Sequence, residues 1–188
     1  AVDAELKDLL AVAAKELITH GETVYLDSGS TCAALAREIR DMELRVVTNS
    51  VEVIAVLVDQ PNIALHVTGG SYRHDAGSFI GPWAEDALGK IQVDHAFMGT
   101  TGISSDGRLS SHNSLESQVK RRAIQAARST VVLCDSSKVG RQTFSVFAEA
   151  DDIDILITDA PQEDLDRFEE VGIHCISVAS AAAQGEKT

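Results

Sequence analysis

The sequence predicts an α/β fold built on an open, mostly parallel sheet with helices on both faces. Short, continuous, β-branched apolar runs recur along the 188-residue chain, as is typical of parallel strands buried on both sides. Helical segments separate these runs, so right-handed crossovers are expected to join the strands. The runs also end alike, in small polar residues. Such endings gather at one edge of a parallel sheet, where ligands bind.

Each strand is predicted from one apolar run. The predicted strands lie at residues 23–27, 44–48, 63–67, 93–98, 130–134, 153–157 and 173–178. The first six end in residues such as Ser, Thr, Gly, Asn and Asp. A pocket lined by these residue types suits a small polyhydroxylated or phosphorylated molecule.

Apolar residues at helical spacing predict the helices. They lie at residues 3–19, 31–40, 51–58, 83–88, 114–128 and 162–170. Gly21 is expected to end the first helix, and Pro82 to open the fourth. We interpret residues 1–20 as a connector helix packed on a domain formed by residues 21–178, with residues 179–188 as a flexible tail. The first helix covers the sheet, connects a preceding domain, or does both.

Two segments interrupt the alternation of strand and helix. Residues 71–82 are too irregular for a crossover helix and predict a short hairpin or a loop at the sheet edge. Residues 103–114 contain Asp106-Gly107, a strong signal for a hairpin turn. Long excursions beside strand ends often form lids or binding loops.

Composition excludes several classes of function. The length suits one domain, and the chain has no apolar run long enough to span a bilayer and no signal peptide. The net charge of −13 argues against unaided binding to DNA or RNA, which requires a basic surface. Three widely spaced cysteines indicate a reduced, cytoplasmic setting. The histidines lack metal-ligand spacing, so no metal site is expected.

The strongest candidate site is Asp27-Ser28-Gly29-Ser30-Thr31, between the first strand and the helix that follows it. Gly29 permits a tight turn, and the hydroxyls lie beside the free amides of a helix N-terminus, which can hold an anion. A plain helix cap explains the same residue types about equally well. Thr48-Asn49-Ser50 and Gly69-Gly70 end strands at the same edge, and they favour the ligand. The segment is neither a dinucleotide fingerprint nor a P-loop.

Charged residues near the strand ends could complete this site. Arg73 and Lys138 are the cations best placed to meet a phosphate, although a lone cation is usually a solvated surface charge. Glu116 and Lys120 share one helix face, which could mean only a surface ion pair. Alternatively, they act with Asp94 to bind sugar hydroxyls or to transfer a proton between carbons of a sugar phosphate.

A series of short motifs in a fixed order carries a family resemblance. The motifs are Asp27–Thr31, Val47–Ser50, Gly69-Gly70 with Arg73, Gly77–Pro82, Asp94–Gly99, Gly102-Ile103, Glu116, Lys120-Arg121 and Asp135–Lys138. From about Gly21 to Asp159 the chain resembles the C-terminal effector-sensing domain of DeoR-family bacterial transcriptional regulators. The resemblance implies the fold of ribose-5-phosphate isomerase and CoA transferases.

The resemblance also implies a function and partners. Family members carry an N-terminal winged helix-turn-helix that reads operator DNA, which would precede this chain. Most repress sugar or nucleoside catabolism genes and form dimers or tetramers. The domain binds a phosphorylated sugar or related metabolite, without a cofactor or catalysis. The expected effector-binding residues are Asp27, Ser28, Gly29, Ser30, Thr31, Thr48, Asn49, Ser50, Gly69, Gly70, Arg73, Asp94, Gly99, Thr100, Gly102, Glu116, Lys120 and Lys138.

Two enzymatic alternatives remain open at this point. A sugar-phosphate isomerase of the same fold would use Asp94, Glu116 and Lys120 as acid, base and electrostatic helper. A CoA-dependent transferase would need a nucleophilic glutamate at a strand end. The strand ends offer Asp27 and Asp135 instead, so this alternative ranks last.

Overall fold

The structure is a computed structural model that describes residues 4–178. Its strands are β1 (Thr23–Leu26), β2 (Leu44–Thr48), β3 (Ile63–Val67), β4 (Ser71–Arg73), β5 (Ser78–Ile80), β6 (Val93–Met98), β7 (Gly102–Ile103), β8 (Leu109–Ser111), β9 (Ala127–Leu133), β10 (Ser145–Ala148), β11 (Ile155–Thr158) and β12 (His174–Ser177). Its α-helices are α1 (Ala4–Lys15), α2 (Ser30–Ile39), α3 (Val51–Leu57), α4 (Pro82–Leu88), α5 (Ser114–Ala126) and α6 (Gln162–Glu170).

The central sheet has seven strands in the order β12-β11-β9-β6-β1-β2-β3, and every neighbouring pair is parallel. All seven predicted strands belong to it, which confirms the predicted α/β fold. Their apolar, β-branched sequences follow from this position, because a parallel sheet buries both faces. The carboxyl ends of all seven strands therefore meet at one edge.

Helices cover both faces of the sheet, as predicted. On one face, α1, α2 and α3 pack over a core that includes Leu10, Leu35 and Phe97. On the other, α4, α5 and α6 pack with a small sheet of order β10-β8-β7, around Met98, Phe147 and Phe168. These two cores fix the helix N-termini at the carboxyl edge of the sheet.

The two excursions are β-structures. Residues 71–82 contain the antiparallel hairpin of β4 and β5, as one of the two alternatives predicted. In the second, β7 and β8 pair around the predicted Asp106-Gly107 turn, where Gly107 has a φ of +86°. A Cβ on Gly107 would lie 2.9 Å from carbons of Ala150 and Ile173, so only glycine fits there.

Some boundaries differ from the predictions. Helix α1 ends at Lys15 because residues 16–19 form tight turns, such as the bond from the Ile18 N–H to the Lys15 carbonyl. Strand β9 begins at Ala127 rather than at residue 130, since Ala127 pairs with Val93 of β6. Strand β10 was not predicted.

The ends of the chain carry two further expectations. The proposed tail at residues 179–188 lies outside the described residues. In the described part of the chain, helix α1 packs on the sheet through residues such as Leu6, Leu10 and Ala14. No helix between residues 4 and 178 has the length and hydropathy needed to cross a membrane.

Candidate functional site

A cavity of about 370 Å³ lies at the carboxyl edge of the sheet. It is bordered by the ends of β1, β6 and β9, by the first turns of α2 and α5, and by the turn of the β4–β5 hairpin. Nine of the predicted site residues line it: Ser28, Gly29, Ser30, Thr31, Gly99, Thr100, Glu116, Lys120 and Lys138. The shared strand endings thus mark a real pocket.

The N-terminus of α2 forms one wall of this cavity. Gly29 precedes the helix with a φ of +108°, and no side chain caps the helix. Consequently the amides of Ser30, Thr31 and Cys32 have no hydrogen-bond acceptor in the part of the chain that the structure describes. Free amides and the positive end of the helix dipole together favour an anion. The alternative of a plain side-chain cap is therefore wrong.

Beneath this wall, Asp27 and Lys120 form a buried ion pair. Asp27 is 1% exposed, and the Lys120 side chain is 10% exposed. The Asp27 carboxylate accepts a hydrogen bond from Lys120 Nζ and bonds of 2.9 and 3.0 Å from the amides of Ser28 and Gly99. Lys120 also donates to the Gly99 carbonyl at 3.1 Å and lies 5.2 Å from the centre of the Phe147 ring. The pair thus fixes the ends of β1 and β6 relative to α5.

Lys138 supplies a second positive charge. It follows β9 and lines the cavity beside Cys134 and Asp135. No carboxylate among residues 4–178 lies within ion-pair distance of its ammonium group. Burial raises the pKa of the Cys134 thiol, and the Lys138 charge partly opposes that shift. Lys138 is therefore a cation that a bound anion could pair with.

Another part of the cavity lining is rich in oxygen atoms. Glu116 lies in the first turn of α5 and accepts a 3.3 Å hydrogen bond from the Ser111 hydroxyl. It does not pair with Lys120, contrary to the simple surface-pair alternative. Thr100 and Thr101 border the same space, and both hydroxyls donate to the Ser110 carbonyl of β8. These carboxylate and hydroxyl oxygens can accept hydrogen bonds from ligand hydroxyls.

Six further predicted residues do not line the cavity. The Thr48 hydroxyl donates to the Leu26 carbonyl, Asn49 bonds Tyr25 and Phe79, and Ser50 caps α3. Gly70 lies so close to Ile80 that a Cβ would approach its carbonyl oxygen to 2.6 Å. Gly69 and Gly102 also lie outside the cavity.

Two predicted charges lie elsewhere. Asp94 is the second residue of β6, so it sits at the amino edge of the sheet, where its carboxylate accepts a 2.9 Å bond from the Thr23 amide. Arg73 lies in β4 and does not border the cavity. Its Nη1 is buried without a hydrogen-bond partner in the described residues. Neither residue is placed to meet a ligand in this pocket.

Several residues of the cavity were not predicted. They are Cys32, Asp75, Ala76, Thr101, Ser111, Leu133, Cys134 and Asp135. Asp75 and Ala76 lie in the turn of the β4–β5 hairpin, within the excursion for which the sequence indicated a lid or a binding loop. Cys134 ends the predicted strand at residues 130–134, and Asp135 follows it. Both could therefore have been predicted from their position at a strand end.

Comparison with solved structures shows the fold. Ribose 5-phosphate isomerase A from Methanocaldococcus jannaschii aligns with a TM-score of 0.52 at 22% identity, over 71% of this chain and 53% of that chain. The δ subunit of eIF2B from Chaetomium thermophilum aligns with a TM-score of 0.59 at 17% identity, over 80% and 54% of the two chains. The expected isomerase-like fold is thus confirmed.

Curated relatives are transcriptional regulators, and the following three are bacterial. The chain is 34% identical to the transcriptional repressor GlcR of Bacillus subtilis, over 82% of this chain and 60% of that protein. It is 33% identical to a putative aga operon repressor of Escherichia coli O157:H7, over 95% and 67%. It is 31% identical to the glycerol-3-phosphate regulon repressor of Escherichia coli K12, over 86% and 64%. The chain thus spans about two thirds or less of these relatives' length.

A family model described as the DeoR C-terminal sensor domain matches residues 2–160. This range contains the whole cavity and six of the seven strands of the central sheet. Together with the regulators above, it bears out both the resemblance and the expectation of a sensor rather than an enzyme. The chain belongs to the family of DeoR C-terminal sensor domains.

Proposed function

We propose that the cavity binds a phosphorylated sugar or polyol, and that this chain is the effector-sensing part of a transcriptional repressor. The observation that carries the proposal is the set of three acceptor-free amides at the start of α2, in the same cavity as the unpaired Lys138. A phosphate supplies the acceptor oxygens and the negative charge that these groups lack.

The acidity of the protein does not oppose this anion site. The net charge of −13 is spread over the chain, whereas the field inside a cleft depends on the nearest charges and dipoles. Beneath the α2 wall, the Asp27 carboxylate is neutralised by Lys120. The carboxylates of Asp75 and Asp135 also line the cavity, and that of Asp135 accepts hydrogen bonds from the Ser137 amide and hydroxyl. The groups that favour an anion are the free amides and dipole of α2 and the ammonium group of Lys138.

The lining around Glu116 suits hydroxyl groups. Glu116 has no cationic partner in the described residues, and its carboxylate accepts one hydrogen bond from Ser111. Its remaining lone pairs can accept bonds from two adjacent hydroxyls. A ligand with phosphate at one end and hydroxyls along its length matches this polarity. The name of one relative, the glycerol-3-phosphate regulon repressor, supports a ligand of this class.

Regulation would act through parts of the protein outside this chain. The relatives are named as repressors and are longer than the matched region, so we propose that a DNA-binding segment accompanies this domain and that the protein acts as a homo-oligomer. Ligand binding changes operator affinity only if the ligand binds the DNA-competent and DNA-free states with different affinities.

The geometry does not favour the isomerase alternative. Asp94 lies at the opposite edge of the sheet from Glu116 and Lys120, so the three groups cannot act on one substrate. Lys120 is bound by Asp27 and by the Gly99 carbonyl. We therefore propose binding without turnover.

Thermal unfolding against a panel of ligands tests the proposal. The panel contains glycerol 3-phosphate, glucose 6-phosphate and fructose 6-phosphate, with glycerol, glucose, fructose and inorganic phosphate as controls. A ligand at about 100 times its Kd adds about 2.7 kcal/mol of stability, which raises Tm by several degrees. A rise with a phosphate ester but not with its parent supports the proposal. Equal rises in Tm with the ester and with its parent would refute the binding of phosphate by the α2 amides and Lys138.

A matched pair of variants locates the phosphate. Lys138→Gln removes the positive charge of Lys138 from the cavity and leaves Lys120 in place. We expect the variant to bind the ester roughly tenfold more weakly, because a charge-assisted hydrogen bond is lost. Lys90→Gln makes the same change at an exposed lysine of the α4 region, and it should leave binding unchanged. Equal effects of the two variants would show that Lys138 does not contact the phosphate.

A further inference from the structure

The cavity at the carboxyl edge of the sheet carries more negative than positive charge. Its charged lining residues are Asp75, Glu116, Lys120, Asp135 and Lys138. Because Asp27 neutralises Lys120, Lys138 is the cation left among these lining residues to balance three carboxylates. The N-termini of α2 and α5 add about half a positive charge each, which offsets only part of the excess. A ligand that enters the cavity therefore meets a negative surplus.

Two of the three carboxylates have few partners of their own. Glu116 is partly buried in the first turn of α5 and accepts one 3.3 Å hydrogen bond, from the Ser111 hydroxyl. Asp75 forms no ion pair and no side-chain hydrogen bond in the part of the chain that the structure describes. Asp135 differs, because it accepts bonds from the amide and the hydroxyl of Ser137. Glu116 and Asp75 are thus free to bind a cationic donor.

This surplus conflicts with a ligand that is only anionic. The acceptor-free amides of α2 and the unpaired Lys138 call for an anionic group on the ligand. A phosphate monoester brings about 1.5 to 2 negative charges near neutral pH. Inside a cleft these charges are repelled by carboxylates that have no counter-ion. A positive charge on the ligand itself would relieve the repulsion and give those carboxylates a partner.

A metal ion could also supply positive charge, but the cavity is poorly built for one. Residues 4–178 contain no group of three or more His, Cys, Asp and Glu side chains placed to hold a metal ion. A Mg²⁺ ion held by one or two carboxylates together with the phosphate is the competing explanation. An ammonium group needs no coordination shell, only acceptor oxygens such as those of Glu116 and Asp75.

We propose that the ligand is a phosphate ester that also carries a primary ammonium group, as an amino sugar phosphate does. The inference rests on the proposed function, because it assumes that phosphate meets the α2 amides and Lys138. The ammonium group donates to the Glu116 carboxylate, and Asp75 adds a second negative charge to the same cavity. The volume of about 370 Å³ lies within the usual range for small-molecule sites, about 300–1,000 Å³.

The proposal makes Glu116 a specificity-determining residue. If its carboxylate bound hydroxyl groups alone, replacing it would weaken the binding of every sugar phosphate to a similar extent. If it pairs with an ammonium group, its replacement weakens only the amino ester. For an ester without an amine, removal of the Glu116 charge relieves repulsion and leaves affinity unchanged or higher. These two roles can therefore be separated by the choice of ligand.

Calorimetric titration with three esters that differ at one position tests the proposal. The esters are glucosamine 6-phosphate, glucose 6-phosphate and N-acetylglucosamine 6-phosphate, each near neutral pH with EDTA present. The glucosamine ester should bind at least about tenfold more tightly than the glucose ester, because a charge-assisted hydrogen bond replaces a neutral one. The acetylated ester should lose this advantage, since acetylation removes the charge and keeps the nitrogen.

A matched pair of variants assigns the preference to one carboxylate. Glu116→Gln keeps the shape of the side chain and an acceptor for Ser111. It should reduce the preference for glucosamine 6-phosphate to about twofold or less, without weakening the binding of glucose 6-phosphate. Glu170→Gln makes the same change at the exposed last residue of α6 and should leave the preference intact. Unfolding curves verify that both variants are folded.

Four results would overturn the inference. Two of them are equal affinities for the glucosamine and glucose esters, and a preference that is unchanged in Glu116→Gln. A third is a glucose ester that gains the same affinity once Mg²⁺ replaces EDTA, because the carboxylates would then serve a metal ion. The fourth is failure of all three esters to bind. If the ligand panel above also gave no thermal shift, the phosphate site itself would be refuted.

Discussion

Replacing Lys120 by methionine should strongly destabilise the domain. Methionine keeps most of the side-chain volume, but it removes the cation that neutralises Asp27 and the hydrogen bond to the Gly99 carbonyl. Asp27 is only 1% exposed, so water cannot replace the lost partner. The variant thus leaves a buried carboxylate with two amide donors and no counter-ion.

The size of the effect follows from this burial. Removing one partner of a buried ion pair costs about 3–5 kcal/mol. The amides of Ser28 and Gly99 still bond the Asp27 carboxylate, which puts the expected loss near the lower end, about 3 kcal/mol. For a chain of this length, such a loss lowers Tm by about 6–12 °C.

Chemical denaturation of a double-mutant cycle measures the pair directly. The cycle compares the wild type, Lys120→Met, Asp27→Asn and the double variant at neutral pH. The double variant should be more stable than Lys120→Met by at least about 1 kcal/mol, because no uncompensated charge remains buried. A loss below about 0.5 kcal/mol for Lys120→Met, or additive effects in the cycle, would refute the assignment of Asp27 and Lys120 as a coupled pair.

Three further predictions concern other parts of the molecule. Gly29→Ala should cost about 2 kcal/mol from backbone strain at a φ of +108°, although a Cβ meets no atom there, and it should also weaken binding of the phosphate ester. Asp94→Ala should leave ligand affinity within about twofold of wild type but lower stability by about 1 kcal/mol, because it removes the acceptor of the Thr23 amide, the one hydrogen bond of the Asp94 side chain within residues 4–178; a tenfold loss of affinity would show that Asp94 contributes to the site. Burial raises the pKa of the thiols of Cys32 and Cys134, and raises that of Cys175 to about 11. All three thiols therefore stay protonated to a higher pH in the folded state than in the unfolded state. The contribution of these thiols to the free energy of unfolding should therefore be fully present below the unfolded thiol pKa of about 8.5 and should fall as the pH rises above it. In the native protein, iodoacetamide should modify Cys175 first, because Cys175 is the most accessible of the three cysteines.

The strands could be predicted because their environment is simple. A strand buried on both faces favours apolar and β-branched residues, and β1 (Thr-Val-Tyr-Leu) and β2 (Leu-Arg-Val-Val-Thr) are rich in them. Strand β10 was missed because Ser145-Val-Phe-Ala is short and pairs antiparallel with β8 in the small sheet. Its identity as a strand depends on that partner more than on its own sequence.

The sequence predicted those cavity-lining residues whose position depends only on the direction of the preceding strand. Ser28 to Thr31, Gly99 and Lys138 follow the carboxyl ends of strands and line the cavity. Asp94 was predicted to act with Glu116 and Lys120, although its position at the start of β6 places it at the amino edge of the sheet. Arg73 was misplaced for a different reason. The direction in which a short hairpin folds is set by contacts that sequence does not reveal.

The roles of Glu116 and Lys120 show a similar limit. Their spacing correctly placed both on one side of α5, and both border the cavity. Spacing did not reveal that Lys120 would pair with Asp27, 93 positions away in sequence, and leave Glu116 without a cationic partner. Long-range pairing of buried charges depends on how the layers pack, which local sequence patterns do not encode.

Calorimetric titration of the wild-type chain with one phosphate ester and with its parent sugar tests the central claim most directly. The ester that gives the largest thermal shift is used, and Lys138→Gln is titrated in parallel. The account predicts that the ester binds at least about 100-fold more tightly than the parent, since phosphate supplies the contacts to α2 and Lys138. Equal affinities for ester and parent, or an ester affinity unchanged in Lys138→Gln, would contradict it.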